Sequence, residues 1–181
     1  APLVASNSNS ISSGVSADGS TVLFSSASTN LIAGLSDSGG WYDVFLRPSR
    51  GGPATLVSRS ANNPNQAANS ASIAASLSGD GQWVCYESFA TNLVGAQQDS
   101  TMSFDVFLFN RSLGTNMLMS SAQESPNIAA DAPSSAIDIS ADGRVLLFSS
   151  NARNLLSSLT DVNSGADVFV GLNPEWLLKD S

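Results

Sequence analysis

Three copies of one 62-residue unit, laid end to end without a gap, account for this 181-residue chain. Repetition at that period points to supersecondary units that bury their faces against their neighbours, not to one irregular core. Ser16-Ala17-Asp18-Gly19 recurs as Ser78-Gly79-Asp80-Gly81 and as Ser140-Ala141-Asp142-Gly143. Asp43-Val44-Phe45 recurs as Asp105-Val106-Phe107 and Asp167-Val168-Phe169, and Asn30-Leu31 as Asn92-Leu93 and Asn154-Leu155. Thirteen positions are identical in all three copies, beginning with Pro2, Pro64 and Pro126. The units therefore run 1–62, 63–124 and 125–181, the last a few residues short.

Each unit reads as four strands. The first is short, Ser12 to Ser16 in copy one, and Asp18-Gly19 then makes a tight turn, because Gly accepts positive φ and Asp bonds the nearby backbone. Val22-Leu23-Phe24, matched by Val84-Cys85-Tyr86 and Leu146-Leu147-Phe148, has three apolar residues in a row, which predicts a strand covered on both faces. The third strand starts at Asp43, Asp105 and Asp167. The fourth is Thr55 to Ser58 and Met117 to Ser120, with Trp176 to Lys179 expected in that place in the last unit, about two residues out of register. No stretch has a period of 3.6. The expected fold is all-β, a β-propeller segment of three four-stranded antiparallel blades with Phe24, Tyr86 and Phe148 buried in equivalent positions.

Ser-x-Asp-Gly, an apolar strand ending in an aromatic residue, Asn-Leu, an Asp-containing loop and Asp-Val-Phe together resemble the WD-like propeller repeats of the TolB type. The linker Pro64-Asn65-Gln66-Ala67-Ala68-Asn69 and Ser72 resemble the segment that precedes each blade there. The resemblance covers the whole chain and implies a blade that serves as a scaffold, a binding platform or an enzyme-associated domain. Closed rings of that type have more than three blades, and propellers carry about four to eight. Ring closure then needs a second copy placed head to tail, another protein partner, or further blades of a longer polypeptide from which this chain is a piece. The apolar residues at the outer faces of units one and three match those of the middle unit, so both ends are expected to pack against another blade.

Composition narrows the chemistry. The chain has no histidine, which excludes His-based triads and His-ligated metals, and one cysteine, which excludes an intrachain disulfide. A net charge of −8 with seven basic residues argues against nucleic acid, and no apolar run is long enough to span a membrane. No Gly-x-Ser-x-Gly elbow is present. Cys85 stands where the other units have Leu23 and Leu147, as a small apolar filler. Two readings of function follow. One is a non-catalytic binding, scaffold or assembly module; the other is an accessory propeller domain of a larger hydrolase-type enzyme. The low lysine content and the wealth of Ser and Asn suit an extracellular or periplasmic bacterial protein.

Nine of the twelve aspartates are locked to the repeat. Asp18, Asp80 and Asp142 belong to the turns. The others form loop pairs: Asp37 with Asp43, Asp99 with Asp105, and Asp161 with Asp167. In the third loop, Asp161-Val162-Asn163-Ser164-Gly165-Ala166-Asp167, carboxylates and an amide oxygen around a Gly have the logic of an oxygen-rich calcium loop. Asp161, Asn163 and Asp167 are thus candidate calcium ligands, with Asp37, Asp43, Asp99 and Asp105 as weaker counterparts. The alternative is that these acids cap turns and bond backbone amides at strand starts. Trp41, Tyr42 and Phe104 lie in the loops before the third strands, where they could stack on a carbohydrate or a protein, or pack between blades as expected of Trp83.

Overall fold

The computed structural model describes residues 6–37, 39–156, 163 and 165–177. Their strands form three antiparallel meanders. The first blade is β1 (Ser10–Val15), β2 (Thr21–Ser26), β3 (Asp43–Pro48) and β4 (Thr55–Leu56). The second is β5 (Ser72–Leu77), β6 (Trp83–Ser88), β7 (Asp105–Asn110) and β8 (Thr115–Leu118), and the third is β9 (Ser134–Ile139), β10 (Val145–Ser150) and β11 (Asp167–Leu172). A single helical turn, α1 (Pro174–Leu177), follows.

The repeated residues are those whose hydrogen bonds recur. Ser16, Ser78 and Ser140 each donate to the turn aspartate two residues on, at 2.6 Å in every blade. The turn glycines Gly19, Gly81 and Gly143 sit at φ 69, 67 and 72°, where a side chain would be strained. Hydroxyl pairs Ser10–Ser26, Ser72–Ser88 and Ser134–Ser150 join the first two strands of each blade at 2.8 Å. The Asn side chains of the Asn-Leu motif clamp the linker: Asn30, Asn92 and Asn154 accept the N–H groups of Asn7, Asn69 and Asp131. Each first strand bulges at the same place, between Ser12 and Gly14, Ala74 and Ser76, and Ala136 and Asp138, which increases its local twist.

Strand alternation assigns every apolar residue to one of two faces. Leu23, Val44, Leu46 and Val57 of blade one meet Val84, Tyr86, Phe107 and Phe109 of blade two. The opposite face of blade two, with Trp83, Cys85, Val106 and Leu108, meets Ile139, Leu146 and Phe148 of blade three. Each such side chain, once fully buried, contributes about 1.5–3 kcal/mol. The hairpin turns are tied in series as well. Ala17 N–H donates to the Gly79 carbonyl and Gly79 N–H to the Ala141 carbonyl, both at 2.8 Å. A Cβ on Gly79 would lie 3.1 Å from that Ala141 oxygen, so a small residue suits the place.

Two expectations need correction. The third blade has three strands among the described residues, and Trp176 and Leu177, assigned above to a fourth strand, lie in α1; Leu178 and Lys179 fall outside the described residues. The cause is local. Asn173 caps the turn by accepting the Glu175 N–H at 3.1 Å, and Pro174 at the first helical position has the φ a helix needs. The turn is then held in place: Asn173 donates to the Gly143 carbonyl, Glu175 accepts from Asn110, and Arg144 lies over the Trp176 ring at 4.4 Å. The second correction concerns Phe24, which is only half-buried, whereas Tyr86 and Phe148 are buried. Phe24 stacks on Phe45 as Tyr86 does on Phe107, but among the described residues no blade stands before it.

Candidate functional site

The loop acids have resolved roles in the first two blades. Asp43 and Asp105 open their third strands and are buried. Ser58 and Ser120 donate to their Oδ1 atoms at 2.7 and 2.8 Å, and the same hydroxyl oxygens accept the Val44 and Val106 N–H groups at 2.9 Å. This latch fastens the end of each blade to its third strand. Burial pushes the Asp43 carboxyl up to about 7; the Ser58 bond opposes the rise and the charge of Asp37 adds to it. Asp105 is likewise raised to about 7 by burial, opposed by Ser120 and assisted by Asp99. Asp37 accepts the Gly39 N–H, and Asp99 accepts both the N–H and the hydroxyl of Thr101, as turn-capping aspartates do. One oxygen each of Asp99 and Asp105 is buried without a hydrogen-bond partner.

In the third loop Asn163 accepts the Gly165 N–H at 2.7 Å. Asp161 lies outside the described residues. Asp167 opens β11 as Asp43 opens β3, but no serine lies opposite it among the described residues. Among the described residues, no group of three or more His, Cys, Asp or Glu side chains is placed to hold a metal ion.

The two end faces differ from the inner ones. Val168 and Val170 of β11 are 66% and 65% exposed, whereas their equivalents Val44, Leu46, Val106 and Leu108 are at most 1% exposed. Leu147, between them, is half-buried where Leu23 and Cys85 are fully buried. At the opposite end Val22 and Phe24 line an open recess with Arg47 and Arg50. Beside β11 runs a groove of about 640 Å³, walled by β11 on one side and by Met119 and Ser121 on the other, over Phe148 and Leu155.

The other residues singled out by the sequence differ in burial. Cys85 is fully buried, and burial pushes its thiol up to about 12, so it stays protonated and inert. Trp83 is buried at the second interface and lies on the Gly143 turn, where an added Cβ would stand 2.3 Å from its ring. Phe104 packs on Phe89 at 3.8 Å between centroids. Trp41 is 54% exposed and rests on Gly39. The uncovered end faces were expected from the repeat, while the groove was invisible to motif reading, since its walls come from two different units.

No family model matches the sequence, and no curated protein matches it significantly. Among solved structures the chain is similar to "The structure of putative TolB from Agrobacterium tumefaciens", with a TM-score of 0.45 and 20% identity over 76% of this chain and 37% of that chain. The match thus spans little more than a third of that protein's length. No helix among the described residues is long and apolar enough to cross a membrane.

Proposed function

We propose that this chain is a non-catalytic binding and assembly module whose two end faces each take a further blade, supplied by a second copy of the chain. The observation that carries this reading is the exposure of Val168 and Val170 on a face whose counterparts in both other blades are sealed. The backbone ladder supports it. Ala141 N–H has no acceptor and the Ala17 carbonyl no donor among the described residues, so the two ends offer one another the missing halves of the bond that links Ala17 to Gly79. Charge agrees: unit one has three acids and three arginines, with Arg47 and Arg50 at its open face, while unit three has seven acids against three basic residues. Two copies joined head to tail make six blades, within the usual range. The same surface chemistry suits an extracellular or periplasmic setting.

Solution mass measured across a dilution series tests the proposal. A dimer that dissociates on dilution, or a stable one burying more than about 1,000 Å², is expected. A well-folded monomer at every concentration overturns it.

A second reading concerns calcium. The partnerless oxygens of Asp99 and Asp105 favour a cation in the second loop, and the loops of Asp37 with Asp43 and of Asp161, Asn163 and Asp167 are its counterparts. Added calcium is then expected to raise the melting temperature by about 2–4 °C for each kcal/mol of binding, with chelator reversing the gain. Asp105→Asn should abolish the response. An unchanged melting temperature with calcium overturns this reading.

A further inference from the structure

We propose that a pocket where the end of blade one meets β8 of blade two binds a small organic carboxylate. Its anionic end would lie on the Arg59 guanidinium and the Ser60 hydroxyl, and its apolar body on Leu93 and Leu113. This goes beyond the association of end faces, since the pocket lies at an interface that the chain itself completes.

The pocket has a volume of about 520 Å³, in the range of small-molecule sites, and its eleven lining residues all lie in the described part of the chain. It is built from three pieces. Arg59 to Ala61 leave the end of blade one, Leu93 to Gly95 come from the loop after β6, and Leu113 to Asn116 from the β7–β8 turn and β8. The second and third pieces are braced. Gln97 accepts the Leu93 and Val94 N–H groups at 3.2 and 3.3 Å and donates to the Ala90 carbonyl at 2.9 Å, so its side chain holds the loop. Asn116 donates to the Val57 carbonyl at 3.2 Å and accepts the Tyr86 hydroxyl at 2.8 Å, which ties β8 to blade one. A site braced in this way is formed before any ligand arrives, so binding loses little to ordering.

The polar groups of the pocket lack a complement. Arg59 donates to the Gly114 carbonyl and lies over the Phe109 ring at 5.4 Å, yet no carboxylate pairs with it among the described residues. A guanidinium has five N–H donors in a planar fork, so donors remain for an anion. Burial lowers the Arg59 pKa, because the charge has given up part of its water. Ser60 is 5% exposed, and its hydroxyl makes no hydrogen bond among the described residues. A polar group buried to that extent ordinarily has a partner. In unit two the same two positions are Ser121 and Ala122, so neither the charge nor the buried hydroxyl is needed to build a blade. The apolar wall has a floor and a lip, since Leu93 is buried and Leu113 is 64% exposed. One fixed cation beside such a wall suits a monoanion with a short hydrocarbon body. The net charge of −8 disfavours a multiply charged ligand such as phosphate.

The test uses the full chain, with hexanoate as the probe and hexanamide as its uncharged counterpart, read by backbone amide chemical shifts over a titration. Saturable shifts at Gly95, Gly114 and Thr115 are expected with hexanoate, and hexanamide should bind about tenfold more weakly, the factor for one charge-assisted hydrogen bond. Arg59→Gln should cost hexanoate the same factor and leave the two probes binding alike. An arginine with a merely structural role would not set that discrimination. Ser60→Ala, which copies Ala122 of unit two, should weaken hexanoate about fivefold with the fold intact, and it carries the test should Arg59→Gln fail to fold. Absence of saturable shifts overturns the proposal, as does equal binding of the two probes to the unaltered chain. Inorganic phosphate that shifts the same amides at lower concentration than hexanoate overturns the assignment to a carboxylate. Solution mass is read separately, so a monomer that binds hexanoate refutes the face association alone.

Discussion

Blade two and blade three share their turn, their second-strand pattern and their Asp-Val-Phe segment, yet one is core throughout and the other is core on one face. Tyr86, Phe107, Phe109, Cys85, Val106 and Leu108 are all fully buried, because blade two has a neighbour on each side. In blade three the face toward blade two is closed by Leu146 and Phe148, while Val168 and Val170 lie open. The same residue types at the same register are therefore interior or surface according to what stands beside them. Among the described residues blade three shows no counterpart of the latch that fixes the last strand of blade two. Burial in this molecule is a property of the stack, and the single unit specifies only which residues are ready for it.

Paired substitutions at equivalent positions break the comparison most sharply. Val106→Asp places an unpaired charge in the sealed second interface and is expected to cost about 3–5 kcal/mol or to unfold the chain. Val168→Asp, one unit on, should change the stability of the monomer by about 0.5 kcal/mol or less while abolishing head-to-tail association. Chemical denaturation of both, with the mass of the second, decides this. Equal destabilisation would mean that the open face is covered within the chain.

The raised carboxyls set the next largest effect. Asp43 and Asp105 are held near 7 when folded against 3.8 as the ordinary value, so the folded state binds more protons between those limits. Their contribution to stability is complete below about pH 4 and is lost as pH rises through 7, by of order 1–4 kcal/mol per group. Asp18, pulled down to about 2 by Ser16, and Asp142, also lowered by its serine, titrate below this window. The melting temperature should thus fall from pH 5 to pH 8, and Asp43→Asn with Asp105→Asn should flatten the slope. A slope unaltered in the double variant would assign it elsewhere.

Smaller effects sharpen the same contrast. Ser120→Ala removes the donor to Asp105 and the acceptor of Val106 N–H, for an expected loss of about 1–3 kcal/mol by urea denaturation. Gly143→Ala and Gly19→Ala share the cost of a left-handed backbone, about 1 kcal/mol. At Gly143 the new methyl also strikes Trp83, whereas nothing lies within 4 Å of the site on Gly19. The excess loss at Gly143, about 1 kcal/mol or more, measures the contact made by a preceding blade. Equal losses would deny that contact any weight.

The repeat made most of this fold legible. Serine, glycine and aspartate at fixed spacing located the turns and the three central strands, because each repeated residue makes a bond within its own unit or to the next. Where the repeat lapses, reading from sequence failed: Asn173-Pro174-Glu175 has no equivalent in the other units, and its capping chemistry formed a helical turn where a strand was expected. Phe24 differs for another reason, since its aromatic ring matches Tyr86 and Phe148 and what sets it apart is that no blade precedes it among the described residues. The acids were legible as loop elements, but their serine partners lie 15 residues away and across a turn, so the latch emerged only in three dimensions.

The run of backbone bonds from Ala17 to Gly79 to Ala141 has a direction, with each turn donating to the one after it. Copies that add through this ladder therefore add in one sense only, as wagons couple front to rear, and a meeting of two like ends would set donor against donor. Such vectorial growth has no built-in stopping point except its own curvature. If the arc swept by three blades divides a circle evenly, growth ends when the ring closes, at the second molecule for half a circle; at any other arc the same contact threads onward into a fibre. The distance between adjacent turns, held by bonds of 2.8 Å, thereby sets the pitch of the stack and with it the difference between a closed particle and a filament.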